Sequence, residues 1–185
     1  MHAQFYEGRN LDIVTQVETL TVLANLRADL SRYGRAAVML EVVDQITEDG
    51  GAHPALYKLL TGALTELDRE GNPLVVPAFV VKILALEGVQ PLLDTCVSCG
   101  ATEQLEAIDI SQGGVLCRSC RSGEPITDAA RGALQAIMDG QVRHVLDTTD
   151  DKTTVMLEGL AARMIEQHLE RRLRSSPVVD QHLTH

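Results

Sequence analysis

The sequence predicts a mainly α-helical domain with a β-hairpin insertion and a short β segment at its N terminus. Three observations support this fold class. Apolar residues recur at helical spacing between glycines along most of the chain, and strand-like alternation is confined to two short stretches. The core residues are aliphatic, with 3% aromatic residues and no Trp, which favours helices packed on helices.

The N-terminal segment predicts a two-stranded hairpin. Residues Leu11 to Glu18 alternate with the period of a half-buried strand, and Ala3 to Glu7 supply a partner across a turn through Gly8 and Asn10. A hairpin of two strands is marginal in water unless it docks on something larger. The residues after 20 supply few further strands, so periodicity leaves the parent sheet of this hairpin open.

The next segment predicts two helices in quick succession. Val22, Leu26 and Leu30 lie four apart in a helix that is expected to end at Gly34. A second helix follows at once and is expected to stop at the pair Gly50 and Gly51. Its apolar face comprises Met39, Val42, Val43 and Ile46.

The third and fourth predicted helices precede the cysteines. The third has Pro54 in its first turn and Gly71 at its end. The fourth, within "NPLVVPAFVVKILALEG", is apolar on nearly every side, so we expect it to be central and buried, with Pro77 in its first turn or at a kink. Gly88 and Pro91 are expected to end it.

Two helices are predicted after the cysteines. The first has Thr127 as its N-cap and stops at Gly140. The second runs from about Thr153 to Arg174, and residues 175–185 form a loose tail. The inner stripe of this last helix is expected to comprise Val155, Leu157, Leu160, Ala161, Met164, Ile165 and Leu169.

All four cysteines lie in one window, as two CxxC pairs separated by a connector that can form a hairpin. Cys96, Cys99, Cys117 and Cys120 can therefore present four thiolates to one ion, and an insertion over 93–123 is expected to bind one structural Zn²⁺. The alternatives are a pair of disulfides, which the lack of a secretory signal disfavours, and a redox CxxC, which would be a single motif. A Zn²⁺ held by four thiolates keeps no open position for a substrate.

Charge and motifs narrow the function classes. The net charge of −10 argues against a chain that coats nucleic acid through bulk positive charge, although three short basic stretches remain. These are "RADLSRYGR", "LCRSCR" and "RMIEQHLERRLR", each of which is also typical of a solvated helix face. The sequence contains no recognisable catalytic motif, so we expect a protein that is not an enzyme. It also contains no signal peptide and no membrane-spanning run, so we expect a cytoplasmic protein.

The order of these pieces resembles the RecO family of bacterial recombination mediators over nearly the whole chain. The resemblance lies in "GRNLDIVTQVE", in "LEGVQPLLDTCVSCG" and in "GGVLCRSC". It implies an N-terminal OB barrel followed by a helical domain with a zinc-binding insertion. It also implies binding of single- and double-stranded DNA, strand annealing, and indirect loading of RecA in the bacterial nucleoid. The implied protein partners are RecR and the acidic tail of single-stranded DNA-binding protein.

This resemblance gives the N-terminal hairpin a possible origin. Residues 1–20 resemble the last part of the OB barrel, and 21–185 resemble the helical domain. Either the start codon is assigned too far downstream or the chain is a shortened paralogue. An orphan amphipathic strand would expose an apolar face and an unpaired edge, which favours the first explanation.

Three functions remain open. Two of them follow from the resemblance, and the third, an unrelated zinc-ribbon enzyme, has the least support. In the leading reading the chain contacts DNA through Arg27, Arg32 and Arg35, with Arg118 and Arg121 as weaker candidates. In the other it is a protein-interaction fragment, with an apolar groove rimmed by Arg or Lys that binds the acidic tail or RecR without contacting DNA. Cys99→Ser is expected to release zinc and loosen 93–123 while the helical body survives.

Overall fold

The computed structural model describes residues 2–47 and 51–175, and it confirms a mainly α fold with small β parts. The seven helices in this part of the chain are α1 (Ala24–Ala28), α2 (Leu30–Ile46), α3 (Pro54–Glu70), α4 (Val75–Leu86), α5 (Asp128–Met138), α6 (Val142–Thr148) and α7 (Asp151–Leu169). The strands are β1 (His2–Tyr6), β2 (Ile13–Glu18), β3 (Leu105–Asp109), β4 (Gly114–Cys117) and β5 (Glu124–Pro125).

Helix α4 is the centre of the molecule, as its apolar sequence predicts. Phe79, Val81 and Ile83 are completely or almost completely buried. The helix packs against α2, α3, α5 and α7. Pro77 lies in its first turn, where the missing N–H breaks no helical hydrogen bond. These four helices therefore surround one apolar helix.

The boundary between the first two helices is not where the sequence predicts it. The expected end at Gly34 is wrong, because Gly34 is buried inside α2. The break lies at Asp29, whose extended backbone ends α1 and whose carboxylate accepts a hydrogen bond of 3.0 Å from the backbone N–H of Arg32. An aspartate N-cap satisfies an otherwise unpaired helix donor, whereas one glycine inside a helix is only mildly unfavourable. The predicted stop at Gly50 lies outside the described residues.

Several other predicted ends are confirmed. Pro54 begins α3, and Gly71 ends it with a left-handed φ of 69°. Thr127 caps α5 by accepting a hydrogen bond of 3.1 Å from the backbone N–H of Ala130. Gly140, with φ of 86°, follows the end of that helix. Each of these positions uses a residue whose chemistry suits one helix end.

The C-terminal helix is shorter than predicted. Helix α7 ends at Leu169 and not near Arg174, and Glu170 adopts a left-handed φ of 53°. The chain turns there because Leu173 returns to the core and its backbone N–H donates to Glu166. The expected inner position of Val155 is also wrong, since 55% of its surface is exposed. Helix α6 and strand β5 were not predicted.

The N-terminal hairpin forms and exposes nearly all of its side chains. Strands β1 and β2 pair antiparallel, with a register irregularity between Gln4 and Phe5. Every residue of β2 is exposed, in contrast to the expected half-buried strand. The exposed surface of Phe5 is 63% and that of Tyr6 is 67%. Whether these strands derive from an OB barrel remains a prediction.

The insertion is joined to the helical body and shares its core. Strands β3, β4 and β5 form one antiparallel sheet in the order β4-β3-β5, and Leu92 bridges to Gly114. Buried residues of β3 and β4 belong to the same apolar cluster as α4 and α7. Among the residues described, no helix is long and apolar enough to cross a membrane.

Candidate metal centre and nucleic-acid interface

The first CxxC pair lies on a tight turn between α4 and β3. The backbone N–H of Gly100 donates to the carbonyl of Cys96 at 2.8 Å, and the N–H of Cys96 donates to the carbonyl of Ala101 at 2.7 Å. Gly100 adopts φ of 76°, a conformation that residues with a side chain rarely take. The turn places Cys96 and Cys99 at one end of the hairpin.

The second pair continues from strand β4. Cys117 is the last residue of β4, and the backbone N–H of Cys120 donates to its carbonyl at 3.0 Å. The N–H of Arg118 donates to the carbonyl of Gln104 and closes this end of the β3–β4 hairpin. Gly113, with φ of 78°, turns the chain at the opposite end, as its position predicts. The hairpin therefore returns the second pair to the first.

The four sulfurs converge as the sequence predicts. The Sγ atoms of Cys96, Cys99, Cys117 and Cys120 all lie within 4.8 Å of one another, and those of Cys99 and Cys117 are 3.7 Å apart. Four sulfurs in a tetrahedron about 2.3 Å from Zn²⁺ would be separated by roughly 3.8 Å. The donor set and its spacing therefore fit one zinc ion. Cys96 and Cys117 are buried, whereas Cys99 is exposed.

The electrostatics of the cluster favour a cation at its centre. Backbone N–H groups of Cys117, Cys99 and Ser98 lower the pKa of Cys96 to about 6 despite its partial desolvation. The backbone N–H of Ala101 lowers the pKa of Cys99, but the three neighbouring sulfurs outweigh it and raise that pKa to about 12. Four thiolates so close together repel one another, and a divalent cation would let all four ionise.

Arg118 and Arg121 flank the second pair and share one carboxylate. Glu106 on β3 accepts from Arg118 at 2.7 Å and lies 3.5 Å from Arg121. The carboxylate raises the pKa of Arg118 by hydrogen bonding and charge. More than 60% of each arginine side chain is exposed, so both remain accessible. Their charge is nevertheless partly offset by Glu106.

Arg27 and Arg32 have different surroundings although they are close in sequence. Arg27 is exposed in the last turn of α1. Arg32 donates to the carbonyl oxygens of Leu67 and Asp68, the former at 3.4 Å. It therefore places a positive charge at the C-terminal end of α3, a common position for a cation, where the same carbonyls also accept from Gly71 and Asn25. Of this pair, Arg27 is the exposed residue, whereas the guanidinium group of Arg32 is engaged by carbonyls.

Arg35 is buried in the structure. Its guanidinium bonds to Glu158 on α7 at 3.1 Å and to the hydroxyl of Ser31, and its side chain is only 10% exposed. The pair joins α2 to α7 across the domain. This placement does not fit the expected DNA contact, because that contact requires every arginine of the basic stretch to be exposed. A buried position within a helical run was not recognisable from the charge pattern.

An apolar groove lies between α3, α4 and α6. The sequence predicted such a groove but not its position. It encloses a cavity of about 630 Å³, with Leu59, Ala63 and Phe79 among its walls. Its lining residues include two lysines, Lys58 and Lys82, and one carboxylate, Glu66. Lys82 was visible in the sequence as the only charge in the apolar run before Glu87, which is the signal that could have located the groove.

Two comparisons with known proteins identify the family of the chain. The model of the family described as "Recombination protein O C terminal" matches residues 27–177. A relative named "DNA repair protein RecO", from Desulforudis audaxviator (strain MP104C), is 33% identical over 174 residues. That alignment covers 91% of this chain and 70% of the relative. The chain therefore belongs to the RecO family, whose named members are recombination and DNA repair proteins.

Proposed function

We propose that this protein is a non-enzymatic mediator of DNA repair by homologous recombination. In this role it binds DNA, promotes annealing of complementary strands and helps RecA to load on single strands covered by single-stranded DNA-binding protein. It acts with RecR in the cytoplasm, in association with the nucleoid. The observation that carries the proposal is the family match over residues 27–177.

One structural zinc ion accompanies this function. Cys96, Cys99, Cys117 and Cys120 would hold it, and their spacing supports a tetrahedral site. Zinc with four protein thiolates fixes the chain and leaves no position at which a substrate could bind. The role assigned to the site is to hold the β3–β4 hairpin against the helical body.

The DNA surface of the proposal starts from the arginines that remain exposed. Arg27 and, near the metal site, Arg118 and Arg121 are accessible to a phosphate backbone. Arg32 and Arg35 contribute less, because protein carbonyls and Glu158 already engage their guanidinium groups. These contacts would position a strand without reading its sequence.

An annealing assay tests the proposal directly. Complementary oligonucleotides coated with single-stranded DNA-binding protein should anneal faster in the presence of the 185-residue chain, without nucleotide hydrolysis. The matched control is the same protein after zinc chelation, in which annealing should fall together with metal content. Annealing at the spontaneous rate, with zinc bound and the protein folded, would contradict the mediator role.

A second candidate function is supported by the groove between α3, α4 and α6. Its apolar walls and two lysines suit a peptide that ends in acidic and apolar residues, which is the chemistry expected of the tail of single-stranded DNA-binding protein. In this reading the chain is an interaction fragment for that tail or for RecR and does not itself contact DNA.

A substitution that fills the groove tests whether the peptide binds there. A side chain at Gly62 would point into open space, since no atom lies within 4 Å of the position its Cβ would take. Gly62→Leu should therefore fill the groove and abolish binding of a labelled acidic tail peptide, while Gly132→Leu on α5, also open, should not. Equal peptide affinity of both variants and the unaltered protein would exclude this groove.

A further inference from the structure

The turn that follows α7 displays three arginines to solvent. Residues 170–175, here named the α7 turn, include Arg171, Arg172 and Arg174, all exposed. Between them Leu173 is 4% exposed and anchors the segment in the core. The alternation of a buried leucine with exposed arginines points the cations outward. None of these arginines was assigned a role by the sequence.

The α7 turn is held in place by its own backbone. The N–H of Arg171 donates to the carbonyl of Glu166, and the N–H of Leu173 donates to the carboxylate of Glu166 at 3.1 Å. The N–H groups of Arg174 and Ser175 each donate to Glu41 on α2 at 2.8 Å. Cations on a fixed backbone lose less freedom when they bind than cations on a loose tail.

Two carboxylates beside the turn, Glu41 and Glu166, accept hydrogen bonds from its backbone. Burial alone would raise the pKa of Glu41, but hydrogen bonds from Ser175 and Arg174 outweigh it and lower that pKa. Glu166 accepts from Leu173. Among the described residues, the guanidinium groups of Arg172 and Arg174 make no hydrogen bond or ion pair, although the charge of Arg174 lies near enough to Glu41 to lower the pKa of that carboxyl. Arg171 donates to the neutral side chain of Gln45.

A cleft adjoins the turn on the side of the metal insertion. It encloses about 920 Å³ between 108–111 and 122–124 of the insertion and the end of α7. Arg171 and Arg172 line it, and four carboxylates, among them Asp109, line it as well. Glu124, an acidic residue of the lining, is paired with Arg163 at 2.5 Å. The hydroxyl groups of Ser111 and Ser122 donate to Asp109, so the contacts with phosphate oxygens would come from the guanidinium groups.

We infer that the α7 turn contacts the phosphodiester backbone of a nucleic-acid strand, with Arg171, Arg172 and Arg174 as the cationic contacts. The strand passes along the turn beside the cleft that separates α7 from the insertion. This inference rests on the proposed function and adds a DNA contact at the end of α7 to the exposed arginines named there. Because the arginines contact phosphates and not base edges, binding through this turn does not depend on the nucleotide sequence of the strand.

The test is a salt titration of a labelled single-stranded oligonucleotide with three forms of the 185-residue chain. R172A/R174A removes two exposed cations that make no side-chain hydrogen bond in the described structure. R69A/R143A removes two exposed cations that pair with Glu66 on the groove side of the molecule. The charge change is the same in both variants, so a general effect of net charge appears equally in each.

Loss of two phosphate contacts should reduce the slope of log affinity against log salt by about 1.4 for a single strand. We expect this reduction in R172A/R174A, an unchanged slope in R69A/R143A, and recovery in R172K/R174K, with unchanged melting temperatures. Equal slopes in R172A/R174A and the unaltered protein would overturn the inference and leave the mediator role intact. An unaltered chain without salt-dependent binding would overturn both the inference and the DNA contact in the proposed function.

Discussion

Arg35 shows how strongly the surroundings of one arginine limit what it can bind. Its guanidinium and the carboxylate of Glu158 are 3.1 Å apart, and the two side chains are only 10% and 12% exposed. Taking two charges out of water is unfavourable, and their mutual attraction offsets this only while both partners are present. The pair therefore ties α2 to α7, and a phosphate could not reach it without opening the domain.

The first prediction concerns this ion pair. Arg35→Ala should lower the free energy of unfolding by about 3 kcal/mol, because it removes the guanidinium group from a largely buried ion pair. Denaturant unfolding followed by circular dichroism measures the change. Arg27→Ala on the exposed face of α1 is the control and should alter stability by less than about 0.5 kcal/mol. Equal stability of the two variants would mean that Arg35 contributes no structural ion pair.

Helix ends show which features of single elements the sequence could predict. Pro54, Gly71 and Thr127 mark the true ends of α3 and the start of α5, because each residue satisfies or avoids a backbone requirement of that position alone. The cysteine pairs were equally recognisable, since their spacing reports the site directly. Local chemistry thus sufficed for these features.

Features that depend on distant residues were not predictable in this way. The sequence predicts a helix end at Gly34. In the structure Asp29 caps the start of α2, and Gly34 lies buried inside that helix. The end of α7 depends on Glu166 and Glu41, which bond to residues that follow the helix. Whether Arg35 is exposed depends on Glu158, 123 positions away. Periodicity carries no information about such partners.

Two glycines of α3 supply the second prediction. Gly71→Ala should destabilise the protein by about 1 kcal/mol or more, because φ of 69° strains a residue with a side chain. The new Cβ would also lie 2.8 Å from Nε of Arg32. Gly62→Ala in the middle of the same helix meets no atom within 4 Å and should stabilise by up to about 1 kcal/mol. Thermal melts of both variants measure the two signs, and a stabilising Gly71→Ala would refute the argument.

At the scale of the whole molecule, the insertion and the helical body are one structure. Ile108, Val115 and Leu116 of the hairpin are buried in the same cluster as α4 and α7. Arg131 on α5 donates to the carbonyl of Leu93, where the insertion begins, and Arg163 pairs with Glu124, where it ends. The sequence suggested an appendage that could loosen alone, whereas the shared core couples it to the body.

The third prediction follows from this coupling. Cys99→Ser, or zinc chelation, should lower the melting temperature of the whole domain and not merely loosen 93–123. Amide exchange should therefore accelerate in α4 and α7 as well as in β3 and β4, because removing the metal loosens a hairpin whose buried residues belong to the same apolar cluster as both helices. Cys120→Ser is expected to behave alike. Faster exchange confined to the insertion would show that the two parts unfold independently.

The packing of α4 against α7 also has a consequence for biosynthesis. About 65 residues separate the end of α4 at Leu86 from the start of α7 at Asp151. At a synthesis rate of 5–20 residues per second, the ribosome needs about 3 to 13 s to make this stretch. During that interval the most apolar helix of the nascent chain lacks one of its main covers, so α4 and α7 can pack together only after nearly all of the chain has been made.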